Sequence, residues 1–476
     1  MKELNRSTVS TTSLPIRVLQ FGEGNFLRAF ADWMIDIMNE KEGYDHGIAV
    51  VQPIEHGMVN MLADQDGLYH HVIQGLKDGQ ASSETRLIKS IQKAINPFED
   101  YESYMEVATS EDLNIVISNT TEAGIVFDEN DPKPESGLSK TFPGKVTQLL
   151  WNRFEKYKGD SAKGLTFIPV ELIDKNGEKL KEAILQYADL WHLPSGFKTW
   201  VEESNYFANT LVDRIVPGYP KDNIDEIRAE IGFNDQLVVA SEIFHLWVIE
   251  GPTEVQKAFP ADQYGFNVIY TNNQAPYRTR KVRVLNGSHT SMVPVGLLHG
   301  LETVRETVED SKMGAFVKHI IYNEILPTID LPEDELNEFA GQIIERFRNP
   351  FIHHELKSIS LNSISKFKVR VLPSLLDYKT IKNELPTGLV TAFAHLVKLY
   401  LSDDFEINDD EQIKEFFHKL RQSNSDASEM MQTILSNEDF WGQDLTKVEG
   451  LKELMTNQFQ SILDGAKIDD LLSLNV

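Results

Sequence analysis

The stretch IRVLQFGEGNFLRAFADWMIDIMN, residues 16–39, predicts how the chain begins to fold. A short apolar run ends at Phe21 and is followed at once by Gly22 and Gly24. From Phe26 onward, large apolar residues recur at spacings of four, three and four, which is the periodicity of a helix with one buried face. A strand, a glycine turn and a helix together form the opening of a dinucleotide-binding unit, in which the pyrophosphate lies at the helix N-terminus.

The candidate cofactor-binding residues of this stretch surround the glycine turn. They are Phe21, Gly22, Gly24, Asn25 and Phe26. A tight turn without a ligand is the alternative, because Leu27 stands where the usual fingerprint has its third glycine. The strand before the turn and the helix after it favour nucleotide binding.

Length and charge limit the classes of protein to which the chain can belong. Its 476 residues are enough for two or three domains, each with its own core. The 73 acidic and 46 basic residues give a formal charge of −27, which argues against nucleic acid and anionic membranes as partners. The absence of cysteine excludes disulfides and thiolate chemistry. Since no apolar signal core begins the chain and no apolar run could span a membrane, we expect a cytoplasmic protein. No obligatory protein partner is evident from the sequence.

The first half of the sequence alternates strand and helix patterns. The predicted strands are residues 47–53, 68–73, 114–121 and 165–173, followed by later strands at 237–251 and 266–272. Helical patterns lie between several of them, for example at residues 101–110 and 144–157. This order predicts an α/β fold with a doubly wound sheet of parallel strands and right-handed crossovers, which the later strands extend or flank.

The second half of the sequence is helical. From about residue 276 the strand patterns stop, and helical patterns follow one another toward the end of the chain. The predicted helices are residues 302–326, 333–347, 388–401, 410–420 and 451–465. We therefore predict two domains: a dinucleotide-binding domain over residues 1–273 and a mainly α-helical substrate and catalytic domain over residues 274–476.

Lys281, Asn286 and His289, within YRTRKVRVLNGSHTSMVPVG, place an amine, an amide and an imidazole on one short stretch, here called the Lys–Asn–His segment. These groups suffice to bind a secondary alcohol or a ketone and to move its proton without a metal. A lysine can act as the general base when burial or a nearby cation such as Arg280 lowers its pKa. An ordinary amphipathic helix with scattered polar residues is the alternative.

The spacing of the Lys–Asn–His segment leaves its local structure open. Asn286 and His289 lie one helical turn apart and can reach the same substrate oxygen. Along a straight α-helix, Lys281 would lie about 12 Å from His289 at about 1.5 Å per residue. Either the lysine side chain reaches down, or the helix begins between the two residues.

Two further segments predict contacts with the cofactor. The segment from Ser118 to Glu122 should lie at the carboxyl end of a strand, where such sheets bind ligands, so Asn119 and Thr120 are candidates. A helix N-cap is the alternative for these residues. Glu55, the only carboxylate near the end of the second strand, is either a ribose contact or a surface charge. Because no Lys or Arg stands there to bind a 2′-phosphate, NAD is favoured over NADP.

Metal binding is not expected. The acidic segments 128–137 and 402–412 lack the glycine and the terminal glutamate of a calcium loop. The adjacent histidines at 70–71 and 353–354 lack the i,i+4 spacing of a helical zinc site. We therefore expect solvated loops and a metal-independent site.

The motifs of the chain, taken in order, resemble the mannitol dehydrogenase family of polyol-specific long-chain dehydrogenases. These motifs are QFGEGNFLRAF (20–30), SNTTEAG (118–124), NTLVDRIVPG (209–218), VLNGSHT (284–290) and RFRNP (346–350). Within the family, QFGEGNFLRAF together with ELIDKNG (171–177) and TLVDRIVPGYP (210–220) is most similar to members that reduce a ketouronate. The resemblance implies an N-terminal Rossmann-type domain and a mostly helical C-terminal domain, with the substrate in the cleft between them.

The resemblance also implies roles for individual residues. Lys281 matches the family's catalytic lysine, and Asn286 and His289 match the residues that orient the reacting hydroxyl. Asp213 and Lys366 match residues that contact the substrate.

Two departures from the family pattern suit a uronate better than mannitol. Many polyol-oxidising members have an Asp-Asn pair whose amide helps to stabilise the substrate oxygen, and here that pair is Glu171-Leu172. The family arginine eight positions before Lys366 is Ser358. The implied reaction is the NADH-dependent, reversible reduction of the keto group of a hexuronate, with lysine as the general acid and base.

A hexuronate brings a carboxylate, which requires a cation in the site. The candidates beside matched motifs are Arg214, Arg280, Arg348 and Lys366, and each can instead be a structural ion-pair partner. The alternative functions are a fructuronate reductase, a mannitol-type polyol dehydrogenase and a non-catalytic NAD-binding protein. The last of these would have no need for the complete Lys–Asn–His segment.

Overall fold

The structure is a computed structural model that describes residues 1–41, 43–77, 79–121, 123–423 and 425–472. It consists of two compact units. The first contains Met1–Gly75 and Ser82–Gln274, and the second contains the hairpin tip Leu76–Ala81 and the chain from Ala275 onward. The functions predicted for residues 1–273 and 274–476 stay predictions. No helix among the described residues is both long and apolar enough to cross a membrane.

Among the described residues, the first unit contains nine α-helices and the strands, apart from the hairpin tip of β4 and β5. The strands are β1 Lys2–Glu3, β2 Ile16–Phe21, β3 Gly47–Val51, β4 Tyr69–Lys77, β5 Gln80–Ile88, β6 Ile91–Ile95, β7 Ile115–Ser118, β8 Thr166–Pro169, β9 Tyr206–Phe207, β10 Asn209–Asp213, β11 Phe233–Asn234, β12 Val239–Glu242, β13 Leu246–Glu250 and β14 Val268–Thr271. The helices are α1 Asn25–Arg28, α2 Ala31–Met38, α3 Val59–Asp64, α4 Tyr101–Ala108, α5 Phe142–Tyr157, α6 Asn176–Leu190, α7 Ser195–Ser204, α8 Ile224–Ile231 and α9 Thr253–Ala258.

A six-stranded sheet in the order β6-β3-β2-β7-β8-β9 forms the centre of this unit, and its described pairings are parallel. Successive residues of a strand point to opposite faces of a sheet. Accordingly, Val18 belongs to one apolar core together with α2, whereas Leu19 belongs to a second core together with α5 and α6. Apolar cores on both faces confirm the predicted doubly wound α/β sheet.

Two smaller sheets correct the sequence interpretation. The predicted strand at residues 68–73 exists as β4, but it is wrong to place it in the doubly wound sheet, because β4 pairs with β12 and β5 in a separate three-stranded sheet. The segment 237–251 is not one strand, since the chain leaves β12 after Glu242 and returns as β13 at Leu246. β13 then pairs with β10 and β14 in a sheet that flanks the first.

The second unit is helical, as predicted. Its α-helices are α10 Ala275–Arg280, α11 Ser288–Leu298, α12 Val304–Glu309, α13 Ser311–His319, α14 Glu333–Phe347, α15 Leu356–Ile359, α16 Ser363–Arg370, α17 Leu372–Lys382, α18 Thr387–Leu401, α19 Glu411–Gln422, α20 Ala427–Leu435, α21 Glu438–Trp441, α22 Leu451–Leu463 and α23 Ile468–Leu472. Two π-helices, Lys281–Gly287 and Ile320–Ile325, interrupt this pattern. The sequence interpretation did not foresee them, because an apolar period of 3.6 residues does not reveal a local change of helix type.

Helix α11 lies in the middle of the second unit. Every residue from Ser288 to Gly296 is buried, so this helix has no solvent face. Such a helix must be enclosed by other helices, and α11 packs against α15, α16 and α18. The Lys–Asn–His segment therefore ends in a helix that is enclosed by others of its unit.

Candidate active site

Gly22 brings the turn after β2 against the end of β7. Its φ of +115° is a conformation that glycine adopts without strain. A Cβ atom at this position would lie 2.8 Å from the carbonyl oxygen of Asn119. Because β2 and β7 are neighbouring parallel strands, their carboxyl ends meet here, at the edge of the sheet where α/β folds bind ligands.

Gly24 leaves open space in front of the first turn of α1. No side chain caps this helix, and a Cβ atom at Gly24 would have no neighbouring atom within 4 Å. Uncapped backbone N–H groups beside open space are what the pyrophosphate of a dinucleotide requires. The turn therefore fits the cofactor that the sequence predicts.

The side chains around the turn have structural partners of their own. Phe21 is fully buried in the core, so only its backbone can face a ligand. Arg28 donates a hydrogen bond of 2.6 Å to Oδ1 of Asn25, and Phe26 stacks on Phe30 with ring centroids 5.0 Å apart. These contacts hold the turn in place, and direct binding of the cofactor by Asn25 and Phe26 stays a prediction.

Glu171 is a positioning residue that the sequence interpretation did not identify. Its buried carboxylate accepts hydrogen bonds from Oγ of Ser118 at 3.0 Å and from the backbone N–H and Oγ1 of Thr120 at 3.1 and 3.0 Å. Burial raises the pKa of this carboxyl group, and the hydrogen bonds that it accepts oppose that shift. Glu171 thus holds the segment that carries Asn119 and Thr120. The register of two strands brings these residues together, since Ser118 pairs with Pro169, two residues before Glu171.

Glu55 and Glu122 complete the segments predicted to contact the cofactor. Glu55 is exposed after β3, and its carbonyl accepts a hydrogen bond of 3.1 Å from the side-chain amide of Gln52. The same amide holds the carbonyl of Ile54 at 2.9 Å, so Gln52 shapes this loop. A contact between Glu55 and ribose stays a prediction, and Glu122 lies outside the described residues.

Asp213 and Arg214 stand at the end of β10. Arg214 donates hydrogen bonds to the carbonyl of Ala29 at 2.6 Å and to that of Glu242 at 3.0 and 2.8 Å, and its guanidinium lies 4.3 Å from the ring centroid of Trp33. Burial lowers its pKa to about 9. This guanidinium is occupied in holding the first unit together, which disfavours it as the receptor of a substrate carboxylate. Asp213 is buried, and its contact with substrate stays a prediction.

Lys281 and Asn286 lie in the π-helix Lys281–Gly287. The backbone hydrogen bonds of a π-helix join residues five apart, so such residues lie one above the other. At about 100° per residue, an α-helix would instead place them about 140° apart around its axis. The π-helix therefore brings the amine and the amide to one face, and α11 places His289 one turn beyond Asn286. The π-helix thus explains how Lys281 can lie on the same face as Asn286 although the two are five residues apart.

The imidazole of His289 is buried and neutral. Burial, together with the charges of His354, Arg346 and Arg370, lowers its pKa well below the ordinary value. Its ring lies against Phe347, with centroids 4.4 Å apart. Within the described part of the chain, the buried Nε2 of His289 has no hydrogen-bond partner. Since buried polar atoms are normally paired, this nitrogen is suited to bind an oxygen of a substrate.

The candidate cations of the second unit differ in their contacts. Arg280 forms an ion pair of 2.5 Å with Glu335. The Nζ of Lys366 donates a hydrogen bond of 2.8 Å to the carbonyl of Ile359. The buried Nε atoms of Arg280 and Arg348 both have no hydrogen-bond partner among the residues that the structure describes, but the guanidinium of Arg348 also has no ion pair there. All three remain predicted substrate contacts, and Arg348 is the least occupied of them.

The second unit thus presents an amine, an amide and an unpaired neutral imidazole on one helical segment. Such a set can hold one substrate oxygen by hydrogen bonds and exchange a proton with it. Across the described ranges, no three His, Asp or Glu side chains are grouped as metal ligands would be. Metal independence of the reaction stays a prediction.

Known proteins match this chain over nearly its whole length, and two family models divide it into a Rossmann domain and a C-terminal domain. The models for the mannitol dehydrogenase Rossmann domain and the mannitol dehydrogenase C-terminal domain match residues 16–262 and 273–463. The altronate oxidoreductase of Bacillus subtilis (strain 168) is 46% identical over 455 residues, which cover 95% of this chain and 94% of the relative. The altronate oxidoreductase of Bacteroides thetaiotaomicron is 44% identical over 475 residues, which cover 98% and 99%.

A solved structure has the same fold. It is the mannitol 2-dehydrogenase of Pseudomonas fluorescens in a ternary complex with NAD and D-mannitol. The similarity covers 99% of both chains with a TM-score of 0.66, at 22% sequence identity. At this identity the likeness shows the fold alone.

Proposed function

Because the chain belongs to the mannitol dehydrogenase family, we propose that it catalyses the reversible, NADH-dependent reduction of a hexuronate keto group, tagaturonate to altronate. The chain is an oxidoreductase that acts on CH–OH groups. The observation that carries the narrower proposal is the nearly full-length identity of 44–46% to relatives named altronate oxidoreductase. A cytoplasmic location is part of the proposal.

The residues of the Lys–Asn–His segment bind the reacting oxygen of the substrate and exchange a proton with it. Bound NADH supplies the hydride that is added to the keto carbon. The ammonium group of Lys281 gives its proton to the oxygen as negative charge develops there, and in the oxidation direction the neutral amine takes that proton back. The amide of Asn286 and the unpaired Nε2 of His289 hold the same oxygen by hydrogen bonds. Proton transfer of this kind contributes roughly a hundred- to ten-thousandfold in rate.

The first unit supplies the residues that would hold the cofactor. The close approach of Gly22 to Asn119 and the open space at Gly24 fit a pyrophosphate at the turn. The exposed Glu55, with no Lys or Arg between residues 51 and 55, favours NAD because a 2′-phosphate would meet a like charge. We therefore propose NADH as the preferred reductant.

A substrate panel tests the proposed function. NADH oxidation is measured with tagaturonate, fructuronate and fructose, and NAD reduction is measured with altronate and mannitol. We expect the highest kcat/KM for the pair of tagaturonate and altronate. A higher value for fructuronate would instead support a fructuronate reductase, equal values for fructose or mannitol a polyol dehydrogenase, and NADH binding without any turnover a non-catalytic protein.

A further inference from the structure

The positive side chains near the Lys–Asn–His segment fall into two classes. Arg280 is paired with Glu335 at 2.5 Å, and Arg283 is paired with Asp377 at 2.6 Å. For Arg370, by contrast, no carboxylate partner and no side-chain hydrogen bond exist within the described residues, although burial lowers the pKa of its guanidinium. A partly buried guanidinium without a counter-ion is costly, and the binding of an anionic ligand would offset that cost.

Arg370 stands beside the residues that hold the reacting oxygen. It is the last residue of α16, and its carbonyl oxygen would lie 2.9 Å from a Cβ atom built on Gly287, the residue after Asn286. Its charge also acts on the imidazole of His289, the pKa of which it lowers together with burial and two other charges. The end of α16 therefore lies against the substrate-binding part of the π-helix.

A second cation lies on the same face of α16. Lys366 precedes Arg370 by four residues, so the two side chains are neighbours on the helix surface. Burial and then the charge of Arg370 lower the pKa of the Lys366 amine, whereas Asp409 opposes this shift. Asp409 itself is engaged, since it accepts hydrogen bonds from the Tyr400 hydroxyl and, at 3.4 Å, from the Ile364 N–H. Two like charges at i,i+4 repel each other, and an anion bound between them would remove that penalty.

We propose that Arg370 binds the carboxylate of the ketouronate, with Lys366 beside it, and thereby sets the preference for an acidic over a neutral sugar. A guanidinium suits this task because its N–H groups can form two parallel hydrogen bonds with one carboxylate. The inference rests on the proposed function and deepens it, because it names the residue that recognises the substrate class. Ser358, in α15, stands where the resemblance placed an arginine, and Arg370 at the end of α16 offers a guanidinium in its place.

The test compares Arg370→Met with Lys368→Met. Both changes remove one positive charge from α16, but the Lys368 amine lies near Gly442 and donates a hydrogen bond of 3.4 Å to the carbonyl of Asp439. For each variant, kcat and KM are measured with tagaturonate and with tagatose, its uncharged counterpart, and the affinity for NADH is measured by fluorescence titration. We expect Arg370→Met to lose roughly ten- to a hundredfold in kcat/KM for tagaturonate, as for a lost hydrogen bond to a charged group. Values for tagatose and for NADH should stay within a fewfold, and Lys368→Met should behave as the unaltered protein.

Two further measurements separate recognition from structural damage. Added guanidinium should restore part of the tagaturonate activity of Arg370→Ala, and Arg370→Lys should retain an intermediate preference. An equal loss with both sugars, or a loss of NADH binding, would overturn the assignment, as would a loss of the preference in Arg348→Met but not in Arg370→Met. If the unaltered protein fails to reduce tagaturonate, the proposed function itself is wrong. If it reduces tagaturonate and Arg370→Met keeps the preference, only the present inference fails.

Discussion

The glycine turn of the first unit and the Lys–Asn–His segment of the second unit place functional groups by different means. At the turn, the decisive property belongs to single residues: a φ of +115° at Gly22 and the absence of a side chain at Gly24. In the Lys–Asn–His segment, the decisive property is the π-helical backbone, which brings Lys281 and Asn286 to one face. The first arrangement is local and visible in the sequence, whereas the second depends on the packing of the helices around it.

The largest expected effect is the loss of kcat when the amine of Lys281 is removed. Lys281→Ala should lower kcat by roughly a hundred- to ten-thousandfold, because the variant lacks the proposed proton donor. Its affinity for NADH should stay within a fewfold, since the change leaves the glycine turn intact. Steady-state kinetics and NADH titration check both expectations, with Lys368→Ala as the control. A residual rate within tenfold of the unaltered protein would remove Lys281 from the proton-transfer role, whereas partial rescue by added primary amines would strengthen it.

The next largest effect is the loss of kcat when the amide of Asn286, which the π-helix places on the same face as the Lys281 amine, is removed. Asn286→Ala should lower kcat by about a hundredfold or more, as expected when one preorganised donor to a developing oxyanion is removed. Asn323→Ala is the matched control, because Asn323 lies in the other π-helix and its amide forms a hydrogen bond with His319 on the preceding helix. If both variants lose activity equally, the effect reflects damage to π-helices in general rather than the loss of a substrate contact.

These two regions also show what the sequence could predict. The strand, the turn and the helix of residues 16–39 were predictable because each depends on neighbouring residues. The π-helix was not, since one extra residue per turn leaves no mark on the apolar pattern. Glu171 was missed because its partners Ser118 and Thr120 are more than fifty residues away along the chain and meet it only through the pairing of β7 and β8.

The cations illustrate the same limit. The sequence offered no basis for choosing among the candidate cations Arg214, Arg280, Arg348 and Lys366. The structure separates Arg214, which holds the carbonyls of Ala29 and Glu242, from cations with fewer partners. Arg370 was not a candidate at all, because its lack of a carboxylate partner is a property of its surroundings.

A smaller effect is expected at the glycine turn. Gly24→Ala adds a methyl group to open space, so the protein should fold normally while the methyl group hinders the close approach of the pyrophosphate. We expect the Kd of NADH to rise about tenfold, which corresponds to about 1.4 kcal/mol. Gly22→Ala should instead lower the melting temperature, because its φ is positive and its Cβ would meet the Asn119 carbonyl. Unchanged NADH affinity in Gly24→Ala would place the cofactor elsewhere.

The last effect is small near neutral pH: it is a dependence of stability on pH that both units share. Burial lowers the pKa of His245 in the first unit and of His395 in the second unit to about 4. Below an unfolded pKa of about 6.5, the unfolded chain binds protons that the folded chain does not, so the free energy of unfolding falls as the pH falls. Each such histidine contributes about 1.4 kcal/mol per pH unit between pH 6.5 and 4.

Urea titrations at several pH values measure this slope. His395→Gln and His245→Gln should each reduce it, even if the substitution itself lowers stability at neutral pH. A slope that neither substitution changes would mean that these imidazoles are protonated in the folded protein.

Transfer of isotope from the reductant tests the central claim most directly. The purified protein is incubated with tagaturonate and NADH that carries deuterium at the transferable position of its nicotinamide ring, and the product is analysed by mass spectrometry and NMR. We predict altronate with one deuterium at the former keto carbon, and a kcat/KM at least tenfold above that of tagatose. Absence of deuterium at that carbon, or equally rapid labelling of the neutral sugar, would contradict the account.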